Sequence, residues 1–126
     1  MLAQNLDIFK ATRMLLSMLL NNTRNVSREV KYLEWSDIRK KCHEALDMIY
    51  LINSEEDAAA AASLVRKYLF LMFGVQNRVR LLAESGYLAT RFKTSVIEQI
   101  DECSRQGVLW KKYFVRKSQN QGVKTN

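Results

Sequence analysis

The sequence predicts an all-α fold, an antiparallel up-down-up-down four-helix bundle, on three observations. Its 126 residues contain no proline and only four glycines, whereas a β-rich domain of this length needs more turn punctuation. Four segments repeat apolar residues at three- and four-residue steps, the period of a helix with one buried face. Short polar stretches separate these segments, and short links between helices give antiparallel neighbours. Hydrophobic residues make up 48% of the chain, enough to bury a core without disulfides or metals. One domain is read over residues 1–117, followed by a flexible polar and basic tail over 118–126.

The first helix is expected over residues 6–23. Asn5 or Asp7 can cap its start, where free N–H groups and the positive dipole end favour an acceptor. Ile8, Ala11 or Thr12, Leu15, Met18 and Leu19 form its stripe, widened by Leu16 and Leu20. A helix this apolar touches partners on more than one side. Asn21-Asn22-Thr23-Arg24-Asn25 is a polar break. Residues 26–35 read as an irregular connection whose Tyr32, Leu33 and Trp35 pack across the bundle end.

The second helix is expected over residues 34–53 with Ser36 as a plausible cap. Ile38, Cys42, Ala45 or Leu46, Ile49 and Ile52 mark one narrow face. Ser54 can cap the third helix, whose first turn holds Glu55, Glu56 and Asp57, placed well for the helix dipole. The Ala58–Ala62 run has high helix propensity and allows close approach of a neighbour. Leu64, Tyr68, Leu71 or Met72, Val75, Val79 and Leu82 continue the stripe, while Phe70 and Phe73 lie off it near Arg66, Asn77 and Arg80. Gly86 reads as a left-handed stop after which Tyr87 or Leu88 folds back on the helix. Thr90 caps the fourth helix, and Phe92, Val96, Ile100, Cys103, Gly107, Trp110 and Phe114 run along one face of it. Trp110 is therefore read as a core anchor.

Charge is the second signal. The net charge is +7, which favours nucleic acid or an anionic membrane surface and leaves the fold undetermined. Residues 87–126 hold eight bases and three acids, and no acid follows Glu102. Arg105, Lys111, Lys112, Arg116, Lys117 and Lys124 all lie beyond that point. Arg66, Arg78, Arg80, Arg105, Lys111, Lys112, Arg116 and Lys117 are the candidate phosphate contacts, since neutralising phosphates needs cations and no particular sequence. Arg80 and Arg105 also have a purely structural reading, as a salt bridge or a carbonyl cap. Tyr113 is placed to stack on a base. Off-stripe apolar residues on the first, third and fourth helices exceed what one small bundle needs, and they read equally as a homo-oligomer interface or as a wide buried stripe.

Enzymatic function is not expected. The sole histidine, His43, follows Cys42 directly, and adjacent helical side chains point about 100° apart. Lys40 stands three residues before His43, where a di-iron bundle carries glutamate. There is no glycine-rich phosphate loop and no spacing of metal ligands, so no cofactor is expected. Cys42 and Cys103 sit on apolar faces and read as buried free thiols. The longest uninterrupted apolar runs fall short of the roughly 18–20 residues of a membrane span. The N-terminus lacks a signal-peptide layout, so a cytoplasmic protein without a membrane partner is expected.

Two segments carry a resemblance to a known family. Arg80-Leu81-Leu82-Ala83-Glu84-Ser85-Gly86-Tyr87-Leu88 looks like an Arg-rich helix end with a glycine turn. Glu102-Cys103-Ser104-Arg105-Gln106-Gly107-Val108-Leu109-Trp110 looks like a closing Glu-Ile-Gly-Arg-x-Leu-Gly-Gly-Trp, matching at Glu102, Arg105 and Trp110. With its helix order and length, the chain resembles the accessory variability determinant (Avd) proteins of diversity-generating retroelements. The four-helix-bundle proteins encoded in 23S rRNA intervening sequences are related to these. Val108-Leu109 replaces the family's Gly-Gly, and the usual proline and glycine between the first two helices are missing. The resemblance implies a barrel-shaped homopentamer without catalytic residues. It implies binding of template RNA, or DNA, through a basic outer surface, and association with a reverse transcriptase for mutagenic cDNA synthesis. The alternative is a structural or interaction protein of the intervening-sequence type, without a polymerase partner.

Overall fold

The computed structural model describes residues 1–21, 24, 26–31 and 33–125, apart from the side chains of 30, 31 and 122–125. Tyr32, three positions of the polar break (Asn22, Thr23 and Asn25) and the side chain of Lys124 lie outside the described residues. Among those described there are four long helices and no strand. A 3₁₀ turn, Ala3–Asn5, precedes α1 (Asp7–Asn21); a single helical turn, α2 (Arg28–Lys31), leads into α3 (Glu34–Ser54); α4 (Ala58–Glu84) and α5 (Thr90–Thr125) complete the chain.

The long helices form a bundle in which α1 and α4 each pack between α3 and α5. The contacts along them fix the antiparallel sense. Trp35, at the start of α3, donates its indole N–H to the Leu19 carbonyl near the end of α1. Asn53, near the end of α3, donates to the Met1 carbonyl. Arg78, late in α4, meets Asp37, early in α3. Gln99 of α5 donates to the Ala11 carbonyl, and Ala58 N–H, opening α4, donates to Gln121 Oε1 near the end of α5.

The buried stripes follow the helical period. Ile8, Leu15 and Leu19 of α1, Ile38, Cys42, Ala45, Ile49 and Ile52 of α3, and Val96, Ile100 and Cys103 of α5 enclose one core. On α4 the buried set is Ala58, Ala61, Val65, Tyr68, Met72, Val75, Val79 and Leu82. Val65 takes the inward position expected for Leu64, because an alanine run has no bulky residue to set the phase of the stripe. Leu20, read as part of a wide stripe, is exposed. Gly107 lets α5 lie tightly against α4: a Cβ there would stand 2.7 Å from Leu69 Cδ2 and 3.3 Å from Tyr68 Cδ1.

Helix ends differ from the sequence expectation in four places, the first being Thr90, which opens α5 from inside while Ala89 holds the cap position and accepts from Lys93 N–H. Ser36 lies inside α3, which opens at Glu34 without a side-chain cap. Ser54 closes α3, its hydroxyl donating to the Leu51 carbonyl. Asp57 caps α4 instead, its carboxylate accepting from Ala60 N–H at 3.1 Å. The α5 helix continues to Thr125 through the stretch read as a frayed tail, with Gln121 tied to Ala58. The stop after α4 is as expected: Gly86 adopts φ 85°, Gly86 N–H bonds to Ala83 O, and Tyr87 N–H bonds to Leu82 O. That pair is the Schellman pattern, in which only glycine takes the positive φ without strain. Tyr87 O in turn accepts from Ser27 N–H, and Val26 forms a single antiparallel bridge with Leu88, so the link preceding α2 lies against this turn.

The most apolar 18-residue window of α4 has a mean hydropathy of 1.4, and the helix is long and apolar enough to cross a bilayer by length and composition. Its inward face is a bundle core, a setting that gives the same composition.

One polar cluster lies inside the core. Thr12 donates its hydroxyl proton to the Ile8 carbonyl at 2.7 Å, so the 2.6 Å contact with Tyr68 is a bond donated by the Tyr68 hydroxyl. Burial pushes the Cys42 thiol up to about 12 and the Cys103 thiol up to about 11, and it raises Tyr68 as well. All three stay neutral at physiological pH, and both thiols are inert buried side chains. Thr12→Val takes the oxygen acceptor from the Tyr68 hydroxyl and leaves it only the weak Cys103 thiol, at an expected cost of about 1–3 kcal/mol. Tyr68→Phe leaves Thr12 bonded to Ile8 and is expected to cost less, roughly 0.5–1.5 kcal/mol. The double variant should cost less than the sum, measured by urea unfolding as a double-mutant cycle.

Candidate nucleic-acid interface

The candidate cations divide by their surroundings. Arg105 is held by Glu102 in a two-pronged ion pair, Nε to Oε2 at 2.9 Å and Nη2 to Oε1 at 2.7 Å. This is an i,i+3 pair along α5. The Arg105 guanidinium, helped by the Gln106 amide at 3.0 Å, holds the Glu102 carboxyl down at about 2. Arg78 is engaged twice, by Asp37 at 3.2 Å and by the Gly74 carbonyl at 3.0 Å. Both side chains are thus committed to the bundle surface, the structural role that the sequence allowed for Arg105.

Arg66, Arg80, Lys111, Lys112, Arg116 and Lys117 form no ion pair among the described residues. Lys111 is half-buried, the other five are exposed, and the Lys117 ammonium sits 5.9 Å from the Tyr113 ring centroid. Arg80 stands apart near the α4–α5 turn, beside Ala83, Glu84, Thr90 and Lys93.

The structure brings five cations onto neighbouring surfaces of α4 and α5. Lys111, Lys112 and Arg116 line a groove of about 320 Å³ between these helices, floored by Leu69, Val108 and Val115. On the other side of α4, Arg66 and Lys67 line a groove of about 540 Å³ together with Glu44, Met48, Phe70 and Leu71. The outward ridge of α4 separates the two grooves. Lys67 is not among the eight candidate phosphate contacts, although it is a basic residue beside Arg66 and off the buried stripe, and it joins them here. The last turns of α5 extend past the start of α1, since Trp110 and Tyr113 already lie against Leu6, Asp7 and Ile8. This segment therefore presents its charges over a wide arc.

Trp110 is half-buried rather than a full core anchor, with its ring 5.3 Å from Phe114. The fully buried tryptophan is Trp35. His43 is exposed on the flank of α3. Among the described residues no three His, Cys, Asp or Glu side chains converge on a metal-sized site. The chain matches no protein-family model and no curated protein.

Proposed function

We propose that this chain is a non-enzymatic, cytoplasmic nucleic-acid-binding accessory protein of a diversity-generating retroelement. It associates with the element's reverse transcriptase and template RNA during mutagenic cDNA synthesis and works as a barrel-shaped homopentamer. The observation that carries this reading is the acid-free end of α5. There Lys111, Lys112, Arg116 and Lys117 are unpaired among the described residues, next to Arg66 and Lys67 on α4. Such a surface neutralises phosphates without reading sequence, which suits a scaffold that holds a template for a polymerase. The resemblance of the Arg80–Leu88 and Glu102–Trp110 segments supplies the polymerase partner and the subunit count.

Assembly draws support from the side of the bundle away from these cations. There a groove between α1 and α3 is lined by Phe9, Leu16, Leu20, Leu46 and Tyr50, with Gln4, Arg13, Ser17 and Asn21 among them. Leu20 and Tyr50 are exposed in the single chain, and apolar surface of this kind marks a partner site.

Purification of the tagged chain from its native cells tests the proposal. A reverse transcriptase and its template RNA are expected in the eluate, and light scattering is expected to give five times the chain mass. Recovery of RNA without a polymerase would shift the reading to the intervening-sequence type of interaction protein. A monomer at micromolar concentration would remove the pentamer.

A further inference from the structure

We infer that the outward ridge of α4 is a base-stacking platform, and that Phe70 and Phe73 make this protein prefer single-stranded nucleic acid to duplex. The inference rests on the nucleic-acid reading above and specifies which form of the polyanion the surface takes.

Three observations carry it. Phe70 is 76% exposed and Phe73 is 59% exposed, so neither contributes much to the core. Among the described residues neither ring pairs with another ring, whereas Phe9, Phe92 and Phe114 all do. At i,i+3 on one helix the two backbone positions lie about 4.5 Å apart along the axis and about 60° apart around it, so both side chains leave the same side of α4. Two open aromatic faces therefore stand side by side on a rigid element.

Charge decides what covers them. The ridge has Arg66 and Lys67 one turn before Phe70 and Arg80 two turns after Phe73, with Lys111, Lys112 and Arg116 across the adjoining groove. Glu44 is the one acid lining either groove. In a ring of five this face would meet a different face of the next copy, and the groove between α1 and α3 offers it another cation, Arg13, and no acid. Charged residues are also depleted from the cores of protein–protein interfaces. A single strand satisfies both features at once: its phosphates meet the cations and its bases offer π-faces to the phenyl rings. In a duplex each base is already stacked on both sides, so the rings gain nothing unless a base leaves the stack.

The test compares the parent chain with Phe70→Leu/Phe73→Leu, which keeps apolar bulk and removes the rings, and with Phe70→Tyr/Phe73→Tyr, which keeps them. The probes are a fluorescein-labelled oligouridylate, an oligothymidylate of equal length and a blunt duplex, read by anisotropy across a salt series. The leucine variant should lose at least about 10-fold affinity for both single strands. Its duplex affinity, salt slope and light-scattering mass should stay at the parent values, and the tyrosine variant should bind as the parent does. A loss confined to oligouridylate would mean that the platform takes RNA alone. Parent-like single-strand binding by the leucine variant, or an equal loss on duplex, overturns the platform and leaves the nucleic-acid reading standing. A fall in the variant's mass overturns it in favour of a second copy on this face. A parent chain that binds none of the probes removes both readings.

Discussion

Trp35→Ala is expected to destabilise the bundle by about 3–5 kcal/mol, read from the urea midpoint at unchanged m-value. Trp35 is fully buried at the second position of α3. Its ring lies 5.8 Å from that of Phe92, near the start of α5, and its indole N–H donates to Leu19 O in the last turn of α1 at 3.2 Å. A helix leaves its last carbonyls to outside donors, so one side chain fills space between three helices and also satisfies an end of one. Alanine removes the packing, opens a cavity and takes away that donor. Trp35→Phe keeps most of the volume and should cost less than half as much. Trp110→Ala, at a half-buried position, should also cost clearly less than Trp35→Ala. Equal costs for the two alanine variants would mean that the bundle end around Trp35 relaxes to fill its cavity.

The contrast between the two tryptophans shows what one-dimensional pattern can and cannot supply. Helix number, order and inward faces were readable because a bundle buries one side of each helix, and burial repeats at the helical period. Ile38 through Ile52 is the clearest case, with all five expected positions fully buried. Depth along a stripe was not readable. Phe92 to Phe114 is continuous, yet Trp110 faces the region where α1 begins and has less of the bundle to cover it. The cap of α4 was ambiguous because Ser54 and Asp57 stand three residues apart and either can end an acidic turn. The candidate site was readable as a charge excess and unreadable as a set of free cations. The Arg105–Glu102 pair is local and its i,i+3 spacing is visible in the sequence. The Arg78–Asp37 pair joins two helices, and only the register of α3 against α4 brings it together.

That sorting gives the second large effect. Replacing Lys111, Lys112, Arg116 and Lys117 together with glutamine is expected to weaken single-strand binding on the order of 10–100-fold near physiological salt. It should also lower the slope of log affinity against log salt by about 0.7 for each phosphate no longer neutralised, up to roughly 3 for all four. The fold should survive. Glutamine matches lysine and arginine closely in helix propensity, three of the four positions are exposed and Lys111 is half-buried, and none has an ion-pair partner among the described residues. The matched control is Arg78→Gln/Arg105→Gln, which removes two positive charges of the same type. Those guanidiniums are already matched to Asp37 and Glu102, so removing them uncovers Glu102, leaves Asp37 to Lys41 and frees no phosphate site. The control should cost about 0–1 kcal/mol of stability per exposed pair and leave the salt slope near that of the parent. An unchanged slope in the fourfold variant would show that phosphates bind elsewhere. A slope that fell equally in the control would show that net charge alone sets the affinity, because only a localised site distinguishes four free cations at one helix end from two paired ones along the bundle.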